Sequence, residues 1–267
     1  MALTDFNEYV ERLSENRASD FSTTTIRILR PNASWQSFNP APATPTTSVA
    51  LDKNSLQSMG PIPAVSTGRL TMLGARISTS TYSAASMMVV DLLNVNGGLN
   101  ATLTTPQTTN LPTAALTRYT SGEGVMAGIV VYTQVGNTAT TVTISYTNSA
   151  GVSGRTSTAT TIGAGSYREV GLLIPIPLQA GDTGIRSIES VTLAATTGTA
   201  GNFGVCLFKP LAMISLESAT GAMPLDSVST GCIIGSLAEI HPDACLTVSA
   251  VTVVNFSIMG AVILTEA

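Results

Sequence analysis

The stretch Thr141-Val142-Thr143-Ile144-Ser145-Tyr146-Thr147 alternates hydroxyl-bearing and apolar side chains without a break. Successive side chains of a strand leave opposite faces, so this period of two gives one apolar and one polar face, whereas a helix would scatter the same residues around its axis. Turn chemistry brackets the run, with Gly136-Asn137 before it and Asn148 and Gly151 after it. It is predicted as a strand with one face buried and the other solvated, the pattern of antiparallel sheets.

Working outward, further strands are expected over 70–78, 87–93, 125–133, 156–162, 170–178, 188–195, 204–208 and 213–216, and in the run 245–264. That run changes phase near Val253 and Val254, which predicts a bulge or two successive strands. In 170–178, Val170, Leu172, Ile174, Ile176 and Leu178 share one parity, while Pro175 and Pro177 occupy the other. Both missing N–H donors then fall on one lateral side, which predicts an edge strand. About ten strands separated by turn residues fit a mainly β fold, an antiparallel β-sandwich or barrel with a jelly roll as first choice. No tandem repeat of fixed length points to a propeller or solenoid.

The N-terminal part has a different composition. Of 28 charged side chains in the 267 residues, nine lie in the first thirty positions: Asp5, Glu8, Glu11, Arg12, Glu15, Arg17, Asp20, Arg27 and Arg30. Leu3, Phe6, Tyr9, Val10 and Leu13 recur at helical spacing, and Asp5 and Glu8 form a capping pattern, so a short amphipathic helix is predicted. A helix of about ten residues is marginal alone, so its stripe is expected to dock on the body or on a neighbouring subunit. From Pro31 to Pro63 six prolines stand among Ser, Thr and Asn, which predicts an extended arm. Trp35 and Phe38 within it are candidate anchors, pressed either into a neighbour's groove or onto the chain's own body. The expected organisation is a helix and charged segment over 1–30, an arm over 31–68 and a β-sandwich body over 69–267.

Charged residues make up only 10% of the chain, against 44% hydrophobic ones. This is far below the roughly 25% charge of an ordinary soluble domain. A surface so weakly charged points to a subunit that hides its faces against neighbours, a homo-oligomer. A net charge of −4 with scattered Lys and Arg argues against nucleic acid as partner. Met1 to Asp20 lacks the apolar core of a secretory signal. The uncharged run 246–264 carries Thr, Ser and Asn among β-branched residues, which argues against a membrane helix.

Little in the chain points to bond chemistry. Cys206, Cys232 and Cys245 show no C-x-x-C spacing and are expected as buried free thiols. His241-Pro242-Asp243-Ala244-Cys245 joins the sole His to an acid and a thiol; extended, the three would share a face, as a metal site or a Cys–His pair. A His beside Pro in a loop is more often structural, and the signatures of thiol enzymes are absent. Gly122-Glu123-Gly124 followed by Gly128 precedes a strand rather than a helix and is expected to be a turn. No catalytic, cofactor-binding or metal-binding residue is therefore expected.

Pro40-Ala41-Pro42-Ala43-Thr44-Pro45 in the arm, Gly163-Ala164-Gly165-Ser166 in a turn, and the run from Leu173 to Asp182 belong to a layout of charged helix, proline-bearing arm and Thr/Ser/Ala/Gly-rich body. This layout resembles virion structural proteins of tailed bacteriophages, capsid decoration or cement proteins in particular. The resemblance implies a trimeric or clustered subunit on a major capsid protein shell, assembled in the host cytoplasm and resident in the virion. Tail, baseplate or head-fibre proteins, and a host-receptor or glycan-binding module, are the alternatives.

Overall fold

The computed structural model describes residues 25–29, 48–59, 62, 70–79, 85–109, 111, 116–165, 167–171, 173–216, 224–226, 239–250 and 258–266. These residues form strands and turns, with no helix among them. The strands are β1 (Thr25–Leu29), β2 (Val49–Ala50), β3 (Leu70–Thr79), β4 (Ala85–Val95), β5 (Gln107–Thr108), β6 (Met126–Thr133), β7 (Thr140–Asn148), β8 (Arg155–Thr156), β9 (Thr160–Ile162), β10 (Leu173–Ile176), β11 (Ile185–Leu193), β12 (Asn202–Leu216), β13 (Pro224–Asp226), β14 (Glu239–Ile240), β15 (Leu246–Ala250) and β16 (Ile258–Glu266).

Every pairing between them is antiparallel. A six-stranded sheet runs β10-β6-β12-β4-β15, with β2 also on β4. One five-stranded sheet runs β5-β11-β7-β8, with β9 also on β7, and another runs β1-β16-β3-β13, with β14 also on β3.

Alternation in β7 buries Val142, Ile144 and Tyr146. They join Ile188, Val191 and Leu193 of β11 in one apolar cluster with Ile129 and Val131 of β6 and Val205 and Leu207 of β12. The β7 sheet thus turns its apolar face to the six-stranded sheet. Each such aliphatic side chain contributes roughly 1.5–3 kcal/mol when fully buried.

The intervening residues of the six-stranded sheet are buried as well. Val130 and Tyr132 of β6, Cys206 and Phe208 of β12, and Val90 and Leu92 of β4 form a second cluster with Leu51, Leu173 and Cys245. The middle of the six-stranded sheet is therefore buried on both faces, because Ile129-Val130-Val131-Tyr132 and Val205-Cys206-Leu207-Phe208 place apolar side chains on both of them.

The segment from Val170 to Leu178 contains β10, which pairs with β6 alone at the end of its sheet. Ile174 and Ile176 enter the first cluster, Leu178 packs against it, and Pro175 stands opposite Gly128. Proline has no N–H to offer, so the edge position costs no ladder bond.

Two strand expectations need correction, and one further expectation finds no support. The N-terminal helix is not supported, since no helix occurs among the described residues and Leu3, Phe6, Tyr9, Val10 and Leu13 lie outside them. The strand expected over 156–162 is two, β8 and β9. Between them the buried Ser157 turns its hydroxyl to accept the Ile144 N–H at 3.0 Å, displacing a backbone acceptor. The strands expected over 204–208 and 213–216 are one, β12. Pairing of β12 with β6 ends at Phe208, so Pro210 lies where that flank has no partner, next to a register shift between Pro210 and Ala212. The C-terminal run, expected as a bulged strand or two successive strands, is two strands, β15 and β16, in different sheets; Val253 and Val254 lie outside the described residues. Of the segment read as an arm, residues 48–59 and Ile62 are described, and Leu51, Met59 and Ile62 are buried. No helix of the described residues is long and apolar enough to cross a membrane.

Candidate functional site

The outer face of the β7 sheet is a candidate contact surface. The parity that sends Val142, Ile144 and Tyr146 inward sends Thr141, Thr143 and Ser145 outward, and the register brings hydroxyls beside them on every neighbouring strand. Thr108 pairs with Ser190, Ser190 with Ser145, and Ser145 with Thr156, making one row across β5, β11, β7 and β8. Thr192 pairs with Thr143, and Thr141 with Thr161.

All eight residues are exposed or half-buried, and none is charged. Strand spacing sets neighbouring hydroxyls about 4.8 Å apart across the sheet and about 6.7 Å apart along it. Each hydroxyl can donate and accept, so the face suits a neutral polar surface, directly or through bridging waters. It measures roughly 15–20 Å on a side, or about 300–400 Å². A standard protein interface uses about 800 Å² per partner, so this face is part of an interface, not the whole of one. At one end Glu189 accepts from the hydroxyls of Thr147 at 2.7 Å and Ser187 at 2.6 Å.

Charged groups elsewhere serve the framework. Asp91 of β4 is wholly buried, and its Oδ2 accepts from Arg118 Nε at 3.0 Å. Its Oδ1 accepts from Arg118 Nη2 at 2.7 Å and from the Cys245 N–H at 2.9 Å. Arg118 also donates to the carbonyls of Leu51 at 2.7 Å and Leu92 at 3.2 Å. Burial pushes the Asp91 carboxyl above its ordinary value, against the opposing pull of the Arg118 guanidinium.

Near the surface, Asp182 Oδ2 accepts from the Tyr146 hydroxyl and from Arg155 Nε at 3.0 Å, while its Oδ1 accepts from Asn148 Nδ2 at 2.8 Å. The Tyr146 hydroxyl, then Arg155, hold the Asp182 carboxyl down at about 2. Buried Asn96 ties the segment after β5 to β12, donating to the Thr109 carbonyl and accepting from the Val205 N–H.

The segment from His241 to Cys245 does not bring its three candidate groups together. His241 and Asp243 are exposed on a turn closed by the Ala244 N–H on the His241 carbonyl, and His241 Nδ1 accepts from the Asp243 N–H at 3.1 Å. Asp243 pairs with Lys53 Nζ at 3.0 Å. Cys245 points into the second cluster, where burial raises its thiol pKa, as it does for Cys206. A turn, not an extended segment, separates imidazole from thiol. Both cysteines are free and buried, and Cys232 lies outside the described residues. Among the described residues no cluster of His, Cys, Asp and Glu could hold a metal ion. Gly122-Glu123-Gly124 is a turn, with φ of 73° and 64° at its glycines.

The interface candidates Leu3, Phe6, Tyr9, Val10, Leu13, Trp35 and Phe38 lie outside the described residues. Sequence reasoning found the solvated face of β7 but not the hydroxyls of β5, β8, β9 and β11 beside it; recurrent Thr and Ser at alternate positions was the available signal. It also missed Asp91 within Met87-Met88-Val89-Val90-Asp91-Leu92-Leu93, where a lone acid in an apolar run marks a buried partner. Comparison of the chain with protein-family models, curated proteins and solved structures finds no match.

Proposed function

We propose that this chain is a non-enzymatic virion structural protein that binds and stabilises a capsid shell as a decoration or cement subunit, its two facing sheets forming a jelly-roll-like β-sandwich. The observation that carries the reading is the uncharged hydroxyl face of the β7 sheet on a chain with only 10% charged residues. Proline at the free edge of β10 adds support. It disfavours open-ended sheet extension and leaves faces, loops and the N-terminal segment as the means of association. A subunit that binds only the assembled shell shifts the assembly equilibrium toward it, which is the mechanism of cementing.

Sedimentation of the purified full chain, alone and with preformed phage capsid shells, tests this. The chain is expected to be multimeric and to pellet with shells. Thr143→Arg with Ser145→Arg, on the solvated face of β7, should leave the melting temperature within a few degrees and release the chain from shells. A monomer without shell affinity overturns the proposal, and retention on tail assemblies or a glycan array instead redirects it.

A further inference from the structure

We infer that residues 48–59 form a strap that closes over one edge of the six-stranded sheet and opens as a unit, with Arg118 as its latch. The inference does not depend on shell binding.

The edge of β4 is shared. β15 pairs with it from Met87 to Asp91, the Leu92 N–H continues to the Cys245 carbonyl, and β2 then takes over at Asn94 and Val95. The strap thus occupies the edge where β15 has ended. Its two ends are anchored close together on the body: the Leu51 N–H donates to the Leu93 carbonyl at 3.0 Å, and the Met59 N–H to the Leu246 carbonyl at 2.8 Å. Leu246 stands opposite Asp91 in the ladder. Leu51 and Met59 are buried, whereas Leu56 at the crest is 73% exposed.

Between its anchors the strap satisfies much of its own backbone. The Asp52 N–H donates to Ser55 Oγ, the Asn54 N–H and the Ser55 hydroxyl donate to Asp52 Oδ1, the Ser55 N–H donates to the Asp52 carbonyl, and the Ser58 N–H donates to the Ser55 carbonyl. A loop with adjacent ends and internal turns is a compact Ω-type element, and such an element can leave its seat without first unravelling.

Arg118 supplies the directional hold. Its guanidinium bonds Leu51 of the strap, Leu92 and Asp91 of β4 and, through Asp91, the Cys245 N–H at the start of β15. One buried side chain therefore ties the strap to the two segments it bridges. The latch is satisfied only when all of them are in place, so strap closure is all-or-none.

Native-state hydrogen exchange on the full chain, in low denaturant, reads this directly. The Leu51 and Met59 amides are expected to exchange together, by an opening that leaves the β6, β7 and β12 amides protected. Arg118→Lys, which keeps the charge but loses the fork, should speed strap exchange about tenfold, and Ile144→Val, in the cluster between the facing sheets, should speed β7 exchange while strap exchange stays unchanged. Strap amides that exchange only with the whole sheet, or an Ile144→Val variant that speeds strap and β7 equally, overturn the inference. If Arg118→Lys does not fold, the exchange pattern of the parent chain decides alone.

Discussion

Removing either partner of the buried Asp91–Arg118 pair should destabilise the protein, but with a different dependence on pH. Arg118→Met leaves a buried carboxylate that can escape by taking up a proton. Neutralising a carboxyl with the ordinary value of 3.8 costs about 4.4 kcal/mol at pH 7 but only about 1.6 kcal/mol at pH 5. The loss at pH 7 should therefore lie near the 3–5 kcal/mol typical of a broken buried pair, and should shrink by up to about 2.7 kcal/mol at pH 5. Asp91→Leu leaves a guanidinium that cannot give up its proton, and it also orphans the Cys245 N–H, worth about 1–3 kcal/mol. Its cost should be larger, and it should not shrink between pH 7 and pH 5. The double variant should recover much of the loss, since an apolar pair avoids the desolvation of both charges. The raised carboxyl pKa of the parent chain has the matching sign: in the fold Asp91 is more easily protonated than in the unfolded chain, so its contribution is present at low pH and lost as pH rises through the folded value. Guanidinium denaturation followed by far-UV circular dichroism at pH 7 and pH 5 measures all three variants. Equal, pH-independent losses for the two single variants would refute the reasoning.

Asp182 carries the opposite sign. Its carboxyl is held at about 2 in the fold, so its contribution is complete above the ordinary carboxylate range and lost as pH falls through about 2. Asp182→Asn should abolish that part of the acid dependence, and denaturation midpoints of parent and variant should converge between pH 5 and pH 2. At the free edge of β10, Pro175→Val restores an N–H group on the side away from β6. Concentration-dependent association in light scattering should increase while the melting temperature stays nearly constant; unchanged association would show that this proline does not guard the edge.

The strands were legible where local chemistry is unambiguous. Alternation in 141–147 needed no partner to be recognised, and the two prolines at 175 and 177 specified an edge because a missing N–H is a property of the residue itself. The strand boundaries were less legible where a neighbour decides them. Pro210 reads as a break in isolation, yet β12 passes through it because β6 has already ended at Phe208. Ser157 reads as part of a strand, yet its hydroxyl replaces a backbone acceptor and divides β8 from β9. The candidate surface was half visible: one row of hydroxyls on β7 could be seen, its neighbours could not.

What the sequence determined alone was a mainly β chain of antiparallel type, weakly charged, with a blunted edge and a change of phase in its C-terminal run. These follow from side-chain period, turn residues and missing donors, all of which act within a few residues. Only the tertiary structure decided that the middle of the six-stranded sheet is buried on both faces, that Asp91 meets Arg118, and that the hydroxyls of five strands come together. Those outcomes depend on register and on which sheet each strand joins, and register is set by contacts between residues far apart in the chain.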